Sequence, residues 1–173
     1  MRTATDIIRE CVERADLRLR PVFSVSKPFI HFESGYTPTV VNSLTELSQG
    51  LGYEPYPLVA VFTEGLTEKR LSGLVEFHVP KMIIAVRAIE NLTETQRIEV
   101  SFRKVLHPIF AELERQLQAE DFGYGLSLER SDVPYYTESG GQAGTFNDML
   151  DGIIIRNLRM KVLEFEECRP TEP

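Results

Sequence analysis

Apolar residues recur along this chain with two periods, and the switches between them divide it into elements. Over residues 3–16, Ile7, Ile8, Cys11, Val12 and Ala15 share one side of a helix that Thr3 or Thr5 caps, with Asp6 in its first turn. Pro21 to Glu33 reads as extended, through Phe23 and Val25 and then Phe29 or Ile30 with Phe32, and Pro28 restricts it to a sheet edge or divides it. Thr37-Pro38 opens a short amphipathic helix carrying Val40, Val41, Leu44, Leu47 and Leu51, with Thr37 as cap and Pro38 at the first helical position. Gly50 and Gly52 close it. After Tyr56-Pro57, the run Leu58 to Thr63 is almost continuously apolar, which predicts a central strand covered on both faces. A charged, Gly-containing connection from Glu64 to Gly73 follows. Leu74–Val79 and Lys81–Ile89 are strand-like, separated or bent at Pro80, and the second is buried in part on both faces.

The clearest periodicity belongs to a long helix from Glu94 to Ala119. Ile98, Phe102, Val105, Leu106, Ile109, Phe110, Leu113 and Leu117 recur at steps of three and four, and Thr93 with Gln96 makes a capping box. Pro108 removes one intrahelical bond, so the spacing predicts a kink near Leu106-His107 or two helices end to end. Asp121 to Gly125 is a turn and Leu126 to Arg130 a short strand. Ser131 to Thr145 is a long polar loop containing Tyr135, Tyr136, Gly140 and Gly141. Asn147 to Gly152 holds a single helical turn that Asn147 caps and Gly152 ends.

The final strand runs from Ile153 to about Phe165. Ile153 and Ile155 start one alternation, and Leu158, Met160 and Val162 continue in the opposite phase. One face stays buried across such a change only if an extra residue is inserted, which places a β-bulge near Arg156-Asn157. The elements together predict an α+β fold: a mainly antiparallel sheet of four to five strands with the long kinked helix and two shorter helices packed on it. Residues 1–173 make a single domain, with a frayed tail after about residue 166.

Composition narrows the picture only slightly. A hydrophobic fraction of 42% and a charged fraction of 26% are those of a globular protein, not of a disordered or fibrous one. The net charge of −7 disfavours an overall electrostatic grip on nucleic acid or anionic membrane. Two local basic groups, Arg14 with Arg18 and Arg20, and Arg156 with Arg159 and Lys161, read as solvated surface charge. No apolar run reaches the roughly 20 residues of a membrane helix, and the N-terminus lacks a signal-peptide core, so an intracellular protein is expected. Cys11 and Cys168, near opposite ends, read as free thiols. Asn91-Leu-Thr93 matches a glycosylation acceptor but reads as a helix start.

Candidate chemistry is sparse. His31, His78 and His107 fall on separate elements, no cysteine spacing suits zinc, and His107 reads as a structural histidine, so neither a metal nor a cofactor is expected. Gly123-Tyr-Gly-Leu-Ser127 resembles the start of a dinucleotide fingerprint, yet it follows a helix and lacks the third glycine. Asp148 and Asp151, three apart, are the best paired carboxylates; against an acid/base or cation role stands a reading in which Asp148 favours the helix N-terminus and Asp151-Gly152 shapes the start of the strand. Glu64, Glu68, Glu112 and Glu114 read as solvated. The tyrosine pair suits protein contact better than base stacking in so acidic a chain.

Several segments carry a resemblance. Tyr56-Pro57-Leu58-Val59, Asn91 to Arg97, Val105-Leu-His-Pro-Ile-Phe-Ala-Glu-Leu113 and above all Asn147-Asp-Met-Leu-Asp-Gly-Ile-Ile-Ile-Arg-Asn-Leu158 resemble the tail-completion, or tail-terminator-like, proteins of tailed phages and prophages of Bacteroidetes-type bacteria, over roughly Ile30 to Leu163. The resemblance implies a structural, non-enzymatic α+β subunit of the virion tail or neck, assembled in the bacterial host cytoplasm. It implies a homo-oligomeric ring, commonly a hexamer, that terminates the tail tube and meets the head-connector protein, while DNA passes through the lumen without specific binding. Tyr135, Tyr136, Gly140, Gly141, Asn147, Asp148, Asp151, Arg156, Asn157 and Arg159 are the candidate interface residues. Two other readings stand beside it: a head-closure or adaptor subunit of the neck, and an enzyme using Asp148 and Asp151.

Overall fold

A computed structural model describes residues 2–50, 56–89, 91–123, 125–136 and 150–163, the side chains of 44–50, 135 and 136 excepted. The fold is α+β. Six strands form one sheet: β1 (His31–Gly35), β2 (Leu58–Phe62), β3 (Thr67–Leu71), β4 (Leu74–Arg87), β5 (Ser127–Tyr136) and β6 (Leu150–Leu163). Their order is β1-β2-β4-β6-β5, with β3 also paired to β4. Only β1 and β2 run parallel, joined through helix α2 (Thr37–Gly50); the other pairings are antiparallel.

The long strand β4 has two neighbours on one edge. β2 pairs with its Lys81–Ala85 half, β3 with its Leu74–His78 half, and β6 runs along the other edge throughout. Pro80 lies where pairing to β3 has ended and pairing to β2 has not begun. It also faces Asn157, where the β4–β6 ladder skips one pair, so no ladder bond requires the N–H that proline lacks. This is why one strand passes through a proline that would divide it elsewhere.

One face of the sheet is covered by two helices. α1 (Ala4–Leu19) starts at the Thr3 capping box with Asp6 and buries Ile7, Ile8, Cys11, Val12 and Ala15, as its periodicity predicts. The long helix, here α3, is continuous and comprises α-helical Glu94–Arg97, a wide π-type stretch Ile98–Leu106, and α-helical His107–Glu120. At the end of the wide stretch the His107 N–H bonds to the Phe102 carbonyl, five residues back. Widening the turn before Pro108 relieves the clash of its ring with the preceding carbonyl, so the helix neither stops nor splits. α1 docks on α3 through buried apolar side chains and through Arg14, which donates to Glu120 at 2.7 Å and to Gln116 at 3.1 Å.

Beneath these helices lie Val59 and Val61, then Val75, Phe77 and Val79, then Met82 and Ile84, and on β6 Ile153, Ile155, Leu158, Met160 and Val162. Each fully buried side chain of this kind contributes roughly 1.5–3 kcal/mol. The phase change expected in β6 is present. Ser127 pairs with Arg159 but Glu129 with Arg156, so two β6 residues oppose one of β5, and Asn157 takes a left-handed φ of 53°. β4 makes the matching change at Pro80-Lys81, from Val79 to Met82, which is why the β4–β6 register is the same on both sides of it.

The opposite face is divided. Leu58, Ala60, Phe62, Ile83, Ala85, Leu150 and Ile154 form a second, smaller core under Val40 of α2. Past Lys81 and Arg156 this face turns polar, and no helix covers it among the described residues.

Several expectations are corrected. The Glu64–Gly73 connection contains β3, whose five residues are all exposed; with no buried face they carry no apolar alternation. The stretch from Pro21 is a turn through Ser24, and the strand begins only at His31. The cause is Asp16 at the end of α1, whose carboxylate accepts the Phe29 and Ile30 N–H groups at 2.8 and 2.9 Å and holds that segment against the helix. Residues 131–136 of the expected loop are strand β5, and β6 begins at Leu150, so residues 150–152 are not part of a helical turn. Gly152 sits in the strand because Ile83 packs where its side chain would be: an added Cβ would lie 3.1 Å from Ile83 Cδ1. Thr37 is itself the first helical residue, and its N–H goes to Glu64 Oε1.

Candidate functional site: the open half of the sheet

The register of the strands places the side chains of the open half-face in rows. The outermost row is apolar, Leu71, Leu74, Leu163 across β3, β4 and β6; the next runs Lys69, Glu76, Lys161 across the same strands, and the one after it Thr67, His78, Arg159, Ser127 across β3, β4, β6 and β5. After the skipped Pro80–Asn157 level comes Phe62, Lys81, Arg156, Glu129, which borders the smaller core. Lys81 lies over the Phe62 ring at 4.9 Å.

Asn157 is the hinge of this surface. Its left-handed backbone suits asparagine better than most side chains. Its Nδ2 donates to Glu129 Oε1 at 3.0 Å and its Oδ1 lies 3.3 Å from His78 Nε2, so one side chain links β4, β6 and β5. Arg156 reaches Ser131 Oγ at 3.5 Å, at the limit of a hydrogen bond. Arg156, Asn157 and Arg159 are all exposed. An unbulged strand would place Arg156 and Arg159, three residues apart, on opposite faces; the extra residue puts both on the open one.

Of the other candidate interface residues, Tyr135 and Tyr136 end strand β5, and Gly140, Gly141, Asn147 and Asp148 lie outside the described residues. Asp151 is corrected outright: it is fully buried within β6, on the face beneath α3. Both its oxygens accept from Arg97 Nη1, at 3.1 and 3.0 Å, and Arg97 Nη2 donates to the Ile89 carbonyl at 2.9 Å. A carboxylate inside the protein needs such a partner, and here the pair ties the first turn of α3 to the start of β6. It is closed to a partner subunit. The Arg97 role was not visible in the sequence, where it is one more charge in a helical first turn.

On the helix-covered face, His107 donates to Asp132 Oδ2 at 2.7 Å and Arg130 to both Asp132 oxygens at 2.9 and 3.0 Å, fixing β5 to α3. Burial raises the Asp132 carboxyl, but the hydrogen bonds from Arg130 and His107 and their charge prevail and hold it below its ordinary 3.8. Burial pushes the Cys11 thiol up to about 11, against the nearby Arg14, which makes it a packing residue and a poor nucleophile. Cys168 lies outside the described residues. Glu64 and Glu68 are exposed, as expected, and also anchor backbone, Glu64 on the Thr37 N–H and Glu68 on the Ala4 N–H at 3.2 Å; Glu112 is half-buried and bonded to Arg115 and Gln116.

Among the described residues no cluster of His, Cys, Asp and Glu is arranged to hold a metal ion, and no helix is long and apolar enough to cross a membrane. A groove of about 590 Å³ opens between α1 and β1, but three of its charged groups are committed: Asp16 to Arg20 and the Phe29 and Ile30 N–H groups, and Arg9 to the Phe32 ring at 5.3 Å. Neither any protein-family model nor any curated protein sequence matches the chain.

Proposed function

We propose that this chain is a structural subunit of a phage tail or a related tail-like machine, associating head to tail into a ring that terminates the tail tube and meets the head connector. The observation that carries the reading is a sheet with open edges built of different strands. One side is edged by β1 and by β3, Thr67-Glu-Lys-Arg-Leu71, which is exposed along its whole length, and β5 forms the other. A closed ring built by one repeated rotation needs two different, complementary surfaces on each subunit, and strand edges with unpaired N–H and C=O groups supply them. The sequence resemblance supplies the setting, the head-proximal end of a tail. The burial of Asp151 on Arg97 removes one member of the only carboxylate pair on which an enzyme reading rested.

Sedimentation velocity over a wide concentration range, followed by negative-stain microscopy, tests this directly. Concentration-dependent rings, alone or with tail-tube protein, are the expected result. A strictly monomeric protein in both conditions would overturn it.

A further inference from the structure

On a chain of net charge −7, the open half-face gathers Lys69, Arg156, Arg159 and Lys161 around Glu76 and Glu129. We propose that this half-face contacts the phosphate backbone of duplex DNA without reading sequence. The inference goes beyond ring formation and does not depend on it, because a monomer carries the same face.

The argument begins with placement. Three of the four cations lie on β6, and they share a face only because the bulge at Asn157 reverses the side-chain phase between Arg156 and Arg159. Arg159 and Lys161 are two residues apart, about 7 Å along the strand, and Lys69 stands two strands away from Lys161, about 10 Å across the sheet. No ion pair involves Lys69, Arg159 or Lys161 among the described residues, whereas Arg14 on α1 is committed to Glu120 and Arg97 on α3 to Asp151. The remaining groups are of the kind that hydrogen-bond phosphate oxygens: Thr67 and Ser127 in the row of Arg159, with His78 between them.

The same composition argues against an acidic protein as the occupant. A protein interface centres on apolar or aromatic anchors; here they are confined to the rim, Leu71, Leu74 and Leu163 on one side and Phe62, buried under Lys81, on the other, and the two rows between, which hold Lys69, Arg159 and Lys161, have none. These rows form a shallow pocket of about 270 Å³ lined by Thr67, Lys69, Glu76, His78 and Arg159, and they carry no helix to enter a groove of DNA, so base readout has no means here.

The test is fluorescence anisotropy of a labelled random-sequence DNA duplex titrated with the full chain. With four phosphate contacts, log affinity falls with log salt at a slope of about −3.6, or roughly 150-fold between about 50 and about 200 mM salt. Arg156→Glu with Arg159→Glu should weaken binding at least about tenfold at the lower salt and reduce the slope by about 2. Arg103→Glu with Lys104→Glu, an equal change of net charge on the exposed side of α3, should leave most of the affinity. Arg156→Ala with Arg159→Ala, checked by circular dichroism, serves if the Glu variant misfolds, and should lower the slope by the same amount. Three results would overturn the proposal: no binding by the wild type at about 50 mM salt, equal losses in the face and control variants, or polyglutamate bound as tightly as DNA, which would point to an acidic protein partner.

Discussion

The two halves of the sheet use the same strands for different ends. In the half that contains β2, the β4 and β6 residues Ile83, Ile84, Ile153 and Ile154 are buried on both faces, between the helical layer and the smaller core. In the half that contains β3, Phe77, Val79, Leu158 and Met160 still face the helices, but their neighbours Glu76, His78, Arg159 and Lys161 face outward. The change happens within one residue level, at Pro80 and Asn157. Coverage, not strand propensity, sets the character of each half, and the paired phase change lets two continuous strands serve both without losing the helix-covered core.

Three perturbations separate the halves. The largest effect belongs to the covered half: Asp151→Asn removes the buried carboxylate charge that faces the Arg97 guanidinium and should cost about 3–5 kcal/mol, measured by urea unfolding. A loss within about 0.5 kcal/mol would mean that the pair is solvated. At the boundary, Asn157→Val forces a β-branched residue into a left-handed backbone and should cost about 1–2 kcal/mol, while Asn157→Gly, free of that strain, should cost less. If both substitutions cost the same, the Glu129 and His78 hydrogen bonds matter more than the backbone does.

The smallest effect concerns Asp132. Its carboxyl is held below 3.8 in the folded state, so its contribution is present above about pH 3.8 and is lost as pH falls through the lower folded value. The group is 38% exposed, and solvent screening limits the effect to under about 1 kcal/mol. Urea midpoints of wild type and Asp132→Asn should therefore differ slightly at about pH 7 and converge in acid; a gap that widens in acid would reverse the sign.

Much of the covered half was legible in the sequence, because burial leaves periodicity. α1 with its Thr3 cap, the all-buried Leu58–Phe62 strand, the long helix and the bulge near Asn157 all follow from spacing alone. The open half was not. β3 has no buried side, so Thr67-Glu-Lys-Arg-Leu71 reads as a loop, and the second half of β5, from Ser131, likewise reads as part of one. Long-range partnerships were also invisible: Asp151 with Arg97 spans 54 residues, and Asp16 shapes the path of residues 29 and 30 from a helix that ends ten residues earlier. The basic face needed the strand register, because Lys69 and Lys161 are remote in sequence and only β4 brings them into one row.

The central claim is that the covered half is scaffold and the outer edges β3 and β5 are where copies of the chain meet. Hydrogen–deuterium exchange on dilute and concentrated protein tests it most directly. New protection at high concentration confined to residues 67–71 and 127–136 is the predicted result; protection that does not change with concentration, or that appears on α1 and α2 instead, would contradict the account.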